Sequence, residues 1–315
     1  MNYSIKKLLL LVVLVIVYSY NCYAETSVST TLPTQQKIEL LPPANIQTNA
    51  NESIIQKRAN GESDLNNNRF VISFYKPTYI LPYYYTASPD NQVYLGSTPG
   101  NQSIKSSESK FQFSFKIPIF VNLINDSNNV YLAYTQLSYW QVYSKSAFFR
   151  ETDFEPEIFL SHKLKFFLGK GWYFDFINLG AVHQSNGFGG NMERTWNRVY
   201  AEGVFANENW MIRLKPWYVV HDSSYNTYNP ALAHYLGYGS ITVAYQHNRH
   251  VISVLGHTLF QKGSKRATAE VSYSFPLSLH FNGYVQFFSG YGQSLIEYNH
   301  RTNSVGIGIS LSNWI

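Results

Sequence analysis

The chain is 315 residues long, 17% aromatic and only 14% charged, with a formal net charge of +5. Soluble chains carry about a quarter charged residues, helical membrane proteins need several runs of roughly 20 apolar residues, and disordered chains are poor in aromatics. None of these suits 26 Tyr and 21 Phe at a mean hydropathy of −0.21, and the composition points instead to an all-β transmembrane barrel, with a Tyr-rich secreted sandwich or lectin as the soluble competitor. The modest positive charge indicates no nucleic-acid partner.

In chain order, the first element is an apolar run, Leu8–Val17, preceded by Lys6 and Lys7 and followed by Cys22-Tyr23-Ala24, a small-x-small cleavage pattern. Residues 1–24 therefore read as a secretory signal peptide. A single anchor helix is the competing reading, but the run is short for one; a lipoprotein site at Cys22 would follow a poor lipobox in Ser19-Tyr20-Asn21. Cleavage after Ala24 removes two lysines, no acid and the only cysteine. The mature chain then has no internal disulfide, and an exported protein without one can be held by the closed hydrogen bonding of a barrel.

Residues 25–69 are rich in Thr, Gln, Asn, Ser and Pro without sustained periodicity, and read as a flexible polar leader that includes Leu41-Pro42-Pro43. From Phe70 to the end the chain breaks into alternating segments separated by Asn, Gly, Ser, Asp and Pro. The predicted strands are 70–84, 110–122, 129–143, 156–168, 171–183, 195–206, 209–221, 234–247, 250–261, 265–275, 279–291 and 303–313: twelve, an even number, each near the length that crosses a bilayer at a tilt. In 265–275, Ala267, Ala269, Val271, Tyr273 and Phe275 share one face, with Thr268, Glu270, Ser272 and Ser274 on the other. In 209–221, Trp210, Ile212 and Leu214 oppose Arg213 and Lys215. The last strand sets Val305, Ile307, Ile309 and Leu311 against Gly306, Gly308, Ser310 and Ser312. A barrel in lipid puts the apolar face outward, a water-soluble one inward; the signal peptide and the missing disulfides favour lipid.

Long gaps follow strands 1, 3, 5, 7 and 11 (85–109, 144–155, 184–194, 222–233 and 292–302), whereas the gaps after even-numbered strands are mostly tight, as at Asn207-Glu208 and Asn248-Arg249. Long loops on one rim and short turns on the other are the outer-membrane pattern; the gap at 262–264 breaks it by being short. With a periplasmic N-terminus, 184–194 falls on the external side. Trp196, Trp210, Trp217 and Trp314 are expected in interfacial girdles, Arg198, Glu202, Arg213 and Lys215 in polar networks inside the barrel. Trp314-Ile315 is a near match to an aromatic barrel-insertion end.

In the fifth strand Ile177, Leu179, Ala181, His183 and Ser185 share parity, which places imidazole and hydroxyl side by side on one face. In the next strand Asn197 shares its face with Val199, Ala201, Gly203 and Phe205. If these faces meet lipid, three polar groups lie there at a cost unless they satisfy one another or do work. Ser, His and Asn can form a hydrolase triad of nucleophile, base and orienting group, and the Gly187 N–H could serve an oxyanion. His-x-Ser alone is a weak signal in a chain with nine His. His221-Asp222 could be a metal or acid–base pair, but reads more simply as a polar external loop.

The stretches His183-Gln184-Ser185-Asn186-Gly187 and Arg194–Tyr200 closely resemble outer-membrane phospholipase A. So do Arg150-Glu151-Thr152, Glu155-Pro156, Lys215–Val220 and Ser289–Ile296. The resemblance runs from about Phe70 to the C-terminus, most specifically from Tyr134 onward. It implies a twelve-stranded outer-membrane barrel of a Gram-negative bacterium, crossing the bilayer many times and active as a homodimer. It further implies calcium-dependent hydrolysis of acyl esters of phospholipids and lysophospholipids (A1, A2 and lysophospholipase activity), with the site towards the external leaflet. By this resemblance Ser185 is the nucleophile, His183 its base, Asn197 the orienting partner and Gly187 an oxyanion N–H, while the calcium ligands fall at the Phe188 main-chain oxygen, Glu193 and, from the partner subunit, the Ser146 position. Two positions depart from the family: serine often stands where Glu193 does, and acids of a second calcium site are replaced by Gly190 and Tyr228. The alternative is a non-catalytic barrel, a small channel or adhesin, on the same scaffold.

Overall fold

The computed structural model of the chain describes residues 52–65, 72–123, 127–229, 231–257 and 266–315. The predicted signal peptide and residues 25–51 and 66–69 of the predicted leader lie outside these.

Alternation of apolar and polar residues is expressed as a closed antiparallel barrel. Its strands are β1 (Tyr79–Thr86), β2 (Ser107–Phe120), β3 (Asn128–Trp140), β4 (Phe149–Gly169), β5 (Trp172–Ser185) and β6 (Thr195–Ala206). They continue as β7 (Trp210–Val220), β8 (Gly239–His247), β9 (His250–His257), β10 (Thr268–Pro276), β11 (Asn282–Tyr291) and β12 (Arg301–Ser310). A two-residue segment, Ser73–Phe74, pairs with β2 just before β1 begins. Each strand pairs with its neighbours in sequence, and β12 returns to β1, Val305 opposite Tyr85. Closure leaves no strand edge to be satisfied in lipid.

The predicted faces hold. Ala267, Ala269 and Tyr273 are exposed while Thr268, Ser272 and Ser274 are buried, and Val305, Ile307 and Ile309 are exposed while Ser304 and Ser310 are buried. The expected interior networks form as well. Arg213 bonds Glu202 at 2.8 Å, Lys215 bonds Glu157 at 2.8 Å, and Arg198 lies 3.5 Å from Glu155. These carboxylates and cations are largely buried and compensate one another, where an unpaired charge would be costly. They surround a cavity of about 210 Å³ that His183, Ser185 and Asn197 do not line.

The structure corrects several sequence expectations. Trp196 and Trp217 are not girdle residues: Trp196 shares the parity of Arg198 on its strand and Trp217 that of Lys215 on the next, so both point inward, where Arg198 lies over the two rings at 4.0 and 5.2 Å. Trp314 is half-buried beside Arg213, whereas Trp210 is exposed as expected. The fourth strand begins at Phe149, not at 156, because the acids at 151, 153, 155 and 157 alternate into the lumen and Pro156 still pairs with Tyr134. Residues 234–238, read as strand, are mostly helix Leu232–Leu236. The short gap at 262–264 lies outside the described residues, as do the predicted strand ends at 258–261 and 265.

Part of the predicted leader is ordered. Residues Ile54–Leu65 form helix α1. Ser53 Oγ accepts from the Gln56 N–H at 3.1 Å, as an N-terminal cap does, and donates to the Asp175 carboxylate at 2.6 Å. Ile54 is buried with Val204, Ala206, Met211 and Ala244, and Glu62 meets Lys116 of β2 at 2.8 Å. The helix therefore packs on the barrel at the end that carries the short turns.

Candidate active site

At the opposite rim β5 and β6 run antiparallel with His183 directly across from Asn197. Both lie on the outward face, in line with Leu179 and Val199, which are about half exposed. Register and alternation thus bring together two polar groups that sequence had placed on a common face. His183 Nδ1 and Asn197 Oδ1 are 2.8 Å apart. The carbonyl oxygen can only accept, so Nδ1–H donates and the lone pair of the imidazole resides on Nε2.

Ser185 is two residues further along β5 on the same face, at the strand's last position. Its hydroxyl has no hydrogen bond to His183 among the described residues; in proteins without substrate, catalytic hydrogen bonds are often long and tighten on binding.

The loop after Ser185 is built around Asn186. Its Oδ1 accepts from the Phe188 N–H at 3.3 Å and the Arg194 N–H at 2.9 Å, and its Nδ2 donates to the Met192 carbonyl at 2.9 Å. Gly187 sits at φ +71°, where a Cβ would stand 3.2 Å from the Phe154 ring. Both the left-handed backbone and the close aromatic favour glycine.

The predicted calcium positions are only partly gathered. Phe188 and Glu193 belong to this loop, with Glu193 following the single-turn helix Gly190–Met192. Ser146 is on a different loop, held by Gln102 through its carbonyl at 2.6 Å. Among the described residues no group of three His, Cys, Asp or Glu side chains is arranged to hold a metal ion. The available donors, a main-chain carbonyl, a carboxylate and a hydroxyl, are all hard oxygen ligands, which suits calcium chemically.

Sequence reasoning missed a fourth polar partner. Asn197 Nδ2 donates to Asp222 Oδ2 at 2.7 Å, and Asp222 Oδ1 accepts from the Tyr225 N–H at 2.9 Å as the cap of helix Ser223–Tyr228. The dipeptide His221-Asp222 drew notice in the sequence, but nothing in spacing connects position 222 to 197; the pairing of β6 with β7, Asn197 opposite Val220, brings it near.

Comparison with known proteins places these features in a family. The family model for phospholipase A1 matches residues 55–311. The chain is 35% identical over 249 residues to phospholipase A1 of Klebsiella pneumoniae, covering 78% of this chain and 84% of that one. It is 32% identical to the phospholipase A1 of Escherichia coli strain K12, over 78% and 83% of the two chains. Among solved structures, outer membrane phospholipase A from Escherichia coli superposes with a TM-score of 0.73 at 31% identity, over 79% of this chain and 95% of that one. The Salmonella typhi outer membrane phospholipase dimer with bound calcium gives 0.72 at 31% identity, over 78% and 94%.

Proposed function

The chain belongs to the phospholipase A1 family, and on that premise we propose that it is an outer-membrane phospholipase that hydrolyses acyl esters of phospholipids and lysophospholipids with Ser185, His183 and Asn197. The observation that carries this reading is the 2.8 Å contact between His183 Nδ1 and Asn197 Oδ1 on the lipid-facing side of the barrel. The bond satisfies two polar groups on the outer face and also leaves Nε2 free to accept a proton, as a general base requires.

In the proposed reaction His183 Nε2 removes the Ser185 hydroxyl proton as the oxygen attacks the acyl carbonyl. The Gly187 N–H donates to the developing oxyanion. The imidazolium, steadied through Asn197, returns the proton to the glycerol oxygen as the ester breaks. Water, activated by the same imidazole, then releases the fatty acid from Ser185. The acyl chain runs along the apolar exterior of β5–β7, where Leu179, Val199 and Tyr218 are exposed. Substrate therefore reaches the site from the membrane, and the long-loop rim bearing it faces the external leaflet.

Calcium held by the Phe188 carbonyl, Glu193 and Ser146 of a second copy would supply positive charge beside the oxyanion. The Salmonella typhi relative is a calcium-bound dimer, which supports a dimeric, calcium-assisted state here. The test is release of fatty acid from phospholipid in mixed micelles with calcium, by refolded wild type and Ser185→Ala. Hydrolysis by the wild type alone is expected. Undiminished turnover by the variant removes Ser185 from the mechanism, and an inert wild type favours the channel or adhesin.

A further inference from the structure

We propose that Asp222 is a positioning residue for the hydrolytic site, selecting through Asn197 the imidazole tautomer that His183 needs; this rests on the assignment of His183 as base. An asparagine amide is ambiguous, since oxygen and NH2 can exchange places by a flip about its last torsion. Facing His183 with oxygen, it stabilises Nδ1–H and leaves Nε2 free to take a proton. Facing it with NH2, it stabilises the opposite tautomer, whose Nε2–H cannot act as a base.

Asp222 resolves that ambiguity because a carboxylate only accepts. Its Oδ2, 2.7 Å from Asn197 Nδ2, admits one amide orientation. Its Oδ1 is fixed in turn by the Tyr225 N–H at 2.9 Å, so the carboxylate cannot rotate away without uncapping the helix. The chain of donors therefore runs in one direction: Asn197 Nδ2–H to Asp222, His183 Nδ1–H to Asn197. The arrangement also places a negative charge behind an asparagine that has none, where it stabilises the imidazolium formed during the reaction. A chain of polarised hydrogen bonds passes that effect along.

The charge-removing variant makes the test sharp. In Asp222→Asn the side-chain oxygen keeps the helix cap, because the Tyr225 N–H requires an acceptor and asparagine caps helices well. Its NH2 then faces Asn197. The Asn197 amide must flip to offer oxygen to position 222, which turns its own NH2 on His183 and forces the Nε2–H tautomer. Adding Asn197→Asp restores the order: the new carboxylate at position 197 accepts both from His183 and from the amide at position 222.

The experiment compares wild type, Asp222→Asn and Asp222→Asn/Asn197→Asp as full refolded chains in micelles. Nitrogen-15 histidine spectra, with His183→Asn to assign the peak, report the tautomer, and phospholipid hydrolysis reports kcat/KM. The expected result is Nδ1–H in the wild type and Nε2–H in the single variant, with kcat/KM lower by about 100-fold or more and both restored in the double variant. A single variant with the wild-type tautomer overturns the proposal, as does lost activity that the double variant does not recover, the pattern of a merely structural cap. A wild type that hydrolyses nothing sinks the phospholipase assignment, while the tautomer comparison still decides the role of Asp222.

Discussion

The proposed chemistry depends on three outward-facing side chains and on one glycine that shapes the loop beside them. Gly187 combines a left-handed backbone with a ring 3.2 Å from where a Cβ would stand. Gly187→Ala is expected to displace the N–H offered to the oxyanion while leaving the strand pairing intact, lowering kcat by about 100-fold, as an ångström of misplacement can; an initial-rate assay beside the circular-dichroism spectrum of the refolded barrel checks this. At this scale the sequence was informative where period-2 parity applies: His183 and Asn197 were placed on one face by counting, and the register puts them directly opposite each other. Parity is silent on loops. Asp222 joins Asn197 across 25 positions of chain through a side chain beyond the end of β7, and a polar dipeptide in a loop gives no sign of its partner.

At the level of elements, the acidic run that begins β4 shows why composition misled. Glu151, Asp153 and Glu155 fall in the gap predicted at 144–155, yet they and Glu157 alternate into the lumen along one strand. Glu151 accepts the Ile296 N–H at 3.0 Å and Asp153 the Leu295 N–H at 3.2 Å, so the strand holds the 292–300 loop over the barrel mouth. Arg150 completes the closure, bidentate to Glu108 at 2.7 and 2.8 Å and bonded to Glu297 at 2.8 Å. All three side chains are almost wholly buried. Arg150→Met would strand two carboxylates, so a loss of about 3–5 kcal/mol is expected, read from the urea midpoint of the refolded barrel; an unchanged midpoint would show that the network contributes little. Helix α1 was hidden for the opposite reason. Ile54 and Ile55, at its first turn, pack against the barrel, and the rest of its attachment is largely polar, as through Ser53 and Gln56 to Asp175.

Taken whole, the molecule is a barrel whose lumen holds paired charges, as at Arg150–Glu108, Arg213–Glu202 and Lys215–Glu157, beneath an aromatic and aliphatic exterior for lipid. Scarce charge and abundant Tyr and Phe already implied that division, and the family match and strand closure bear it out. Less could be read about assembly, because in the proposed dimer Ser146 would serve the site of the other copy, a pairing that the sequence of one chain does not encode visibly. For the proposed calcium-assisted dimer, chelation of calcium is expected to stop hydrolysis and to reduce the chemically cross-linked dimer together, with both recovering on readdition. Full activity in excess chelator would remove the metal from the mechanism.

The central claim is that Ser185 on the lipid face is the nucleophile, and the most direct measurement of it is covalent capture. A fluorophosphonate probe added to the refolded protein with calcium should attach to Ser185, as read by mass spectrometry of its peptide, with labelling slowed by phospholipid and absent from Ser185→Ala and His183→Asn. Active wild type labelled elsewhere, or labelling of Ser185 that proceeds undiminished without His183, would contradict the account.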